Sequence, residues 1–243
     1  MIDRPYVKGR ARQIIQTARP NIFYASIIMT ALSVLLGYLS GRLVGITNSE
    51  ALRYMQYIES GNVDAALNYL AARSPSTGER LMDLLLQSVN IIISLGFLIY
   101  LLNTVRGTGA VLGNLLDGFG YWWKVLVLTF VTGVLVLLWS LLLIVPGIIA
   151  AYRYSMAQYL LITRPELGIL DCLRESKRLT EGHKGELFML DLSFLGWFLL
   201  CLVPVLGWIL QVWVSPYRSL SVLQYYERYS GYAAPAEEPW SAW

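Results

Sequence analysis

Residues 192–217 carry no charge over 26 positions, and this run limits what the chain can fold into. A hydrocarbon core about 30 Å thick is crossed by roughly 20 helical residues, so the run is too long for one pass. Pro204 and Gly207 interrupt it near its middle, and proline there removes a backbone donor and obstructs the preceding turn. A hairpin of two passes is therefore expected. A lone carboxylate, Asp191, sits one turn inside the apolar stretch that opens at Leu187. Composition agrees: 56% of residues are hydrophobic, 14% are charged, and mean hydropathy is +0.52. Those values exclude an ordinary soluble domain. Eight Trp and sixteen Tyr suit a chain with many membrane–water crossings.

Three more uncharged runs repeat the signal. Residues 21–41 form the first, too long for a signal-peptide core and not followed by a cleavage pattern, so an anchor is expected. Residues 84–105 form the second and carry Gln87, Asn90 and Asn103, which suit hydrogen bonds to neighbouring helices. Residues 125–152 form the third, again too long for one pass and broken by Pro146-Gly147; beyond Arg153 the chain stays helix-like to Thr163. Segments 125–163 and 187–226 thus read as similar hairpins. At an offset of 64, Leu115, Asp117, Gly118 and Leu126 align with Leu179, Glu181, Gly182 and Leu190, which fits a repeated unit of surface helix plus hairpin. The fold class expected is all-α: a polytopic membrane bundle of six transmembrane helices in three hairpins, with amphipathic interfacial helices.

Charge placement orients it. With six spans, thirteen Lys and Arg lie on one side and four on the other, all four within residues 42–83. The positive-inside bias then sets both termini in the cytoplasm. The single membrane domain is expected over residues 1–226. Residues 1–21 form a basic helix with Val7, Ala11, Ile14, Ile15 and Ala18 on its apolar face, suited to the inner membrane surface. Residues 42–83 form an extracytoplasmic helical loop, with Asn62 as an N-cap and Pro75 as a stop. A helical cap is the plainer reading of that loop and a ligand-binding lid the sharper one. Residues 164–186 form a cytoplasmic amphipathic linker, with Ile169, Leu170, Cys172, Leu173, Ser176 and Leu179 on one half of the wheel. Residues 227–243, rich in Ala, Pro and Glu, read as a disordered cytoplasmic tail. Cys172 is expected in the cytoplasm and Cys201 about 20 Å along a membrane helix, so the two form no disulfide.

The block at residues 141–161, LLLIVPGIIAAYRYSMAQYLL, is followed by ESKRLTEGHKGELF at 175–188, LDLSFLGWFLL at 190–200 and Pro216-Tyr217. These blocks resemble the bacterial membrane proteins classed as domain of unknown function nine-seven-five, over roughly residues 106–226. The chain departs from that resemblance at residues 203–207, where the family has a Thr/Gly-rich turn. The family is similar, more distantly, to the membrane domain beside some glycerophosphodiester phosphodiesterases, and the resemblance implies a bundle of about six helices with no assigned activity.

Function is less legible. His183 is the single histidine, and no HExxH, GxSxG or phosphate-loop motif is present, so no catalytic residue, metal site or cofactor is expected. The expected role is that of a non-enzymatic accessory or scaffolding protein, with the lipid bilayer and a membrane-protein partner but no nucleic acid as partners. The alternative is a transporter or channel for a small polar or amphiphilic substrate, which the hairpin repeat favours and the scarcity of charge in the spans opposes. Asp191, Arg153 and Arg218 are the charges expected inside the membrane. Counting at 1.5 Å per residue sets them roughly 6, 15 and 12 Å deep. Charges at such depth pair or face the protein interior. Depth favours Arg218 as the partner of Asp191; the shared sequence blocks favour Arg153. Arg153 is the expected partner, with Arg218 as second donor.

Overall fold

The computed structural model describes residues 4–18, 21–44, 48–72, 75–200 and 206–231. Among them every regular element is helical. The helices are α1 (Arg4–Thr17), α2 (Ile22–Val44), α3 (Asn48–Glu59), α4 (Val63–Ala72), α5 (Thr77–Arg106), α6 (Asn114–Asp117), α7 (Trp122–Leu142), α8 (Ile144–Arg153), α9 (Ala157–Thr163), α10 (Ile169–Leu179), α11 (Lys184–Leu192), α12 (Leu195–Leu200) and α13 (Leu206–Ser230). A short 3-10 turn, Gly118–Tyr121, leads into α7. The chain divides into two compact units, Ala31–Ile91 and Met1–Thr30 with Ile92–Trp243.

In Ala31–Ile91 the expected loop helices are present and capped from the sequence. Asn62 Oδ1 accepts from the Ala65 N–H at 3.0 Å, as an N-cap does. Before α5, Ser76 Oγ accepts from the Glu79 N–H at 3.2 Å while Glu79 Oε2 accepts from the Ser76 N–H at 2.7 Å. This capping box starts α5 at Thr77, seven residues before the uncharged run. Asn90 accepts from the Ser33 hydroxyl at 2.9 Å, joining α5 to α2 as expected of a polar residue in such a helix. Gln87 instead donates to Asp83 on its own helix, and Asn103, beyond this unit, accepts from Thr108 in the following loop.

The larger unit is built around the second half of α5, buried almost continuously over residues 92–102, and around α13. The apolar stripe of α1 lies against α13, with Val7, Ala11 and Ile15 buried. The face expected to meet the membrane surface is thus covered by protein. Its cations are engaged as well: Lys8 Nζ stands 4.5 Å from the Phe194 ring centre, and Arg12 5.6 Å from that of Tyr217. Residues Ile22, Ala25, Ser26 and Met29 of α2 share one face and are buried, and Phe23 stacks on Trp213 of α13 at 6.3 Å. Arg106 at the end of α5 holds the buried Glu227 at 2.8 Å. Residues 227–230 therefore belong to α13 and not to the tail; Cys201, Pro204 and residues 232–243 lie outside the described residues.

Among the described residues three helices, Ile22–Leu43, Thr77–Arg106 and Asn114–Leu142, are long and apolar enough to cross a membrane. The other apolar stretches are divided by breaks that the sequence reading placed differently or missed. Between α7 and α8 the chain turns at Leu143, where φ is −162°, three residues before Pro146. Pro146 sits in the first turn of α8, where its missing N–H leaves nothing unsatisfied. Gly147 is then free to lie against α7; a Cβ there would come within 2.9 Å of the Ser140 Cα. Gly207 is the second residue of α13 and makes no break. Residues 154–156 part α8 from α9, and residues 193–194 part α11 from α12. In the paired repeat, Gly118 is helical and buried whereas Gly182 turns in the left-handed region at φ +81°, so the aligned glycines do different work.

Each break frees backbone groups, and side chains from distant helices take them up. Pro216, inside α13, cannot donate to the Val212 carbonyl one turn back. The Ser26 hydroxyl on α2 donates to that oxygen at 2.6 Å instead. At the gap between α8 and α9, the Ser176 hydroxyl donates to the Arg153 carbonyl at 2.9 Å and accepts from the Met156 N–H at 3.2 Å. At the end of α11, Lys8 Nζ reaches the Ser193 carbonyl at 3.4 Å.

Two outcomes follow for thermal unfolding in detergent. Ser26→Ala lowers stability by about 1 kcal/mol, the usual value of one such bond. With Pro216→Ala the missing N–H returns, so Ser26→Ala costs less in that background; equal losses in both would contradict the assignment. The second concerns the crossing of α5 with the segment before α7. A Cβ on Gly96 would lie 2.0 Å from the Leu115 carbonyl oxygen, and one on Gly118 would lie 2.1 Å from that of Ile92. Gly96→Ala and Gly118→Ala each lose about 1–3 kcal/mol, as overpacked sites do. Gly133→Ala, with nothing within 4 Å of the added carbon, does not.

Candidate functional site

Three helical faces meet at one cavity, and each is a single helical phase in the sequence. Ile148, Ala151, Tyr152 and Ser155 lie along α8 and its end, Leu187 and Asp191 along α11, and Arg218 and Val222 along α13. Spacings of three and four residues put each set on one side of its helix. Together they line a space of about 340 Å³ that is open to the surface.

The polar centre of this cavity is an ion pair. Arg218 Nε donates to Asp191 Oδ1 at 2.7 Å and Nη2 donates to Oδ2 at 2.8 Å, a bidentate fork. Tyr152 OH adds a third bond, to Oδ2 at 3.1 Å, and its ring meets Phe188 edge-on at 6.1 Å. Asp191 stands in the last turn of α11, where the helix dipole disfavours a carboxylate, and Arg218 offsets that field. The side chains are 40% and 21% exposed for Arg218 and Asp191, so the pair is partly screened. Arg218 follows two residues after Pro216, where α13 lacks one backbone bond.

Arg153 is not part of the pair, which corrects the expected assignment. Its carbonyl accepts from Ser176 and Thr180, while its guanidinium forms no ion pair among the described residues and its Nε is buried without an acceptor. The reason is helical phase. Tyr152 and Arg153 are neighbours about 100° apart around α8, so when Tyr152 faces Asp191 the next side chain cannot. Tyr152 and Ser155 were visible only as parts of a sequence block. The signal that finds them is the recurrence of 148, 151, 152 and 155 on one face.

Other sequence candidates fall outside the cavity. Cys172 is buried on α10, and burial pushes its thiol up, away from reactivity. His183 stacks on Tyr229 at 4.2 Å and has Nδ1 3.5 Å from Glu186 Oε1. Tyr229 donates to Glu186 Oε2 at 3.0 Å, and burial together with that carboxylate raises its pKa. Among the described residues no group of three or more His, Cys, Asp and Glu is placed to hold a metal ion.

Asp191→Asn strands a guanidinium and is expected to cost about 2–4 kcal/mol, somewhat under the 3–5 typical of a fully buried pair because Arg218 keeps solvent access. Adding Arg218→Ala to it should cost little more, whereas the loss from Arg153→Ala should simply add. Double-mutant cycles on unfolding midpoints in detergent check this, and an Arg153 coupling equal to that of Arg218 would contradict the geometry.

Comparison with known proteins places this cavity within a recognised block of sequence. No curated protein and no solved structure matches the chain. The family model described as "Protein of unknown function (DUF975)" matches residues 141–232, the segment that holds Tyr152, Asp191 and Arg218, and supports that family for this part of the chain.

Proposed function

We propose that the protein is an integral membrane protein of six passes in three hairpins, with both termini in the cytoplasm of a bacterial cytoplasmic membrane. Its role in this reading is accessory or scaffolding: it holds partner proteins or lipids and performs no chemistry. Three helices already suffice for passage by length and composition. The divided arms supply the rest, because α8 with α9 covers residues 144–163, about 30 Å at helical rise. The surface supports the bilayer as solvent. Phe130, Leu137, Leu141, Leu142, Leu143 and Ile144 of the first hairpin are each more than half exposed, which suits hydrocarbon and not water. The more distant likeness to the membrane domain beside glycerophosphodiester phosphodiesterases agrees with a helical bundle and carries no activity.

The observation that carries the scaffolding role is that the two charges neutralise each other. Asp191 receives three hydrogen bonds, and Arg218 is held to it by a fork. A conducting route calls for separate groups in series. A transporter for an amphiphilic substrate is the second reading, favoured by the open cavity beside the pair.

Topology is tested with a single cysteine in place of Arg174, an exposed residue on α10, in a chain whose Cys172 and Cys201 are replaced. An impermeant thiol reagent should label it only after the cells are opened; labelling in intact cells overturns the orientation. Photo-crosslinkers at Phe130, Leu137 and Arg174 test the role. A discrete protein or lipid adduct in native membranes is expected, and absence of any adduct combined with solute flux in reconstituted vesicles favours the transporter.

A further inference from the structure

The cavity beside Asp191 leaves hydrogen-bonding capacity unused on both partners of the ion pair. A guanidinium has five N–H groups, and the fork uses one on Nε and one on Nη2 of Arg218. Nη1 has no acceptor among the described residues, and Arg218 lines the cavity with 40% of its side chain exposed. On the carboxylate, Oδ2 accepts two bonds and Oδ1 only one, so Oδ1 retains a free lone pair. Ser155 donates its proton to the Tyr152 carbonyl at 2.8 Å, and its oxygen too can accept. Free donors thus stand beside free acceptors in one small space.

The surroundings say what can fill it. Ile148, on the cavity wall, and Phe188, against the Tyr152 ring, are both exposed, as are Ile149 and Leu192 nearby in sequence. In the membrane-embedded reading, on which this inference rests, that rim faces acyl chains. Unsatisfied N–H groups at such a place are costly and call for an acceptor. Charge then restricts the ligand. Asp191 and Arg218 cancel, so a net anion would add an uncompensated charge in a low-dielectric site, whereas a zwitterion adds none. We infer that the cavity holds the headgroup of a zwitterionic aminophospholipid. A phosphodiester oxygen accepts from Arg218 Nη1, the primary ammonium donates to Asp191 Oδ1 and the Ser155 oxygen, and the acyl chains run out over Ile148 and Phe188.

The test uses the purified full-length protein in lipid-depleted detergent, with the unfolding midpoint measured against added ligand. The probes are dihexanoyl phosphatidylethanolamine, the phosphatidylglycerol and phosphatidylcholine of the same chains, and soluble glycerophosphoethanolamine. The ethanolamine lipid should raise the midpoint with at least tenfold higher affinity than the anionic glycerol lipid. The choline lipid, which has no ammonium N–H, should be weaker, and the soluble headgroup inert over the same range. Equal or tighter binding of the glycerol lipid overturns the neutral-ligand argument, an equal effect of the soluble headgroup overturns the lipid source, and no shift with any probe overturns the site. Ala151→Phe fills the cavity without touching the pair, and should keep the lipid-free midpoint while weakening the ethanolamine lipid at least tenfold; unchanged affinity overturns the placement. If that variant is unstable, the wild-type probe series still decides. Membrane embedding is read separately, by resistance to alkaline carbonate extraction. A protein that stays in the membrane but ignores the lipid sinks this site alone, and a protein that is extracted sinks the membrane reading.

Discussion

Backbone N–H and C=O groups that leave a helix while buried away from water need another partner, and much of this structure follows from how they are satisfied. The protein interrupts its apolar helices repeatedly, at Pro216 and at residues 154–156 and 193–194. Each interruption is answered by a side chain from elsewhere: Ser26 for the Val212 carbonyl, Ser176 for both the Arg153 carbonyl and the Met156 N–H, Lys8 for the Ser193 carbonyl. The donors come from α1, α2 and α10, far along the chain from the groups they serve. A helix break that destabilises an isolated segment thereby becomes a long-range tie. It also explains why α1 and α10, which look like surface helices by composition, have buried faces.

The same breaks position the charged pair. Asp191 stands at the end of α11 just before the gap at 193–194, and Arg218 lies just after Pro216. Each sits where its helix is locally interrupted. The bidentate fork ties α11 to α13, and the Tyr152 hydroxyl extends the link to α8. Truncating one partner leaves the other charge uncompensated, which gives the pair more influence than its partial exposure suggests.

Close approach of backbones is the complementary device. Small residues at a helix crossing let the two backbones come into van der Waals contact. Gly96 and Gly118 leave no room for a methyl group between α5 and the segment before α7, and Gly147 does the same between α7 and α8. The large side chains point the other way: Phe130, Leu137 and Leu141 of α7 are largely exposed.

Uncharged run lengths, charge asymmetry and helical periodicity are local properties, and the sequence alone carried them. The helical class, apolar runs inside the three long helices, the Asn62 cap and the shared phase of Val7, Ala11 and Ile15 could be read from it, whereas the helix ends and what covers that stripe could not. Asp191 and Arg218 stood out because charge in an apolar run is rare, and depth favoured their union while the shared sequence blocks favoured Arg153. Choosing between Arg153 and Arg218 requires the rotation of α8 about its axis. That rotation is set by Ser176 and Thr180 at the Arg153 carbonyl and by the packing of Gly147 on Ser140, which are contacts between residues 7 to 27 positions apart. Tertiary structure decided which face of each helix turned inward, and a shift of one residue, about 100° around an α-helix, is enough to exchange Arg153 for Tyr152.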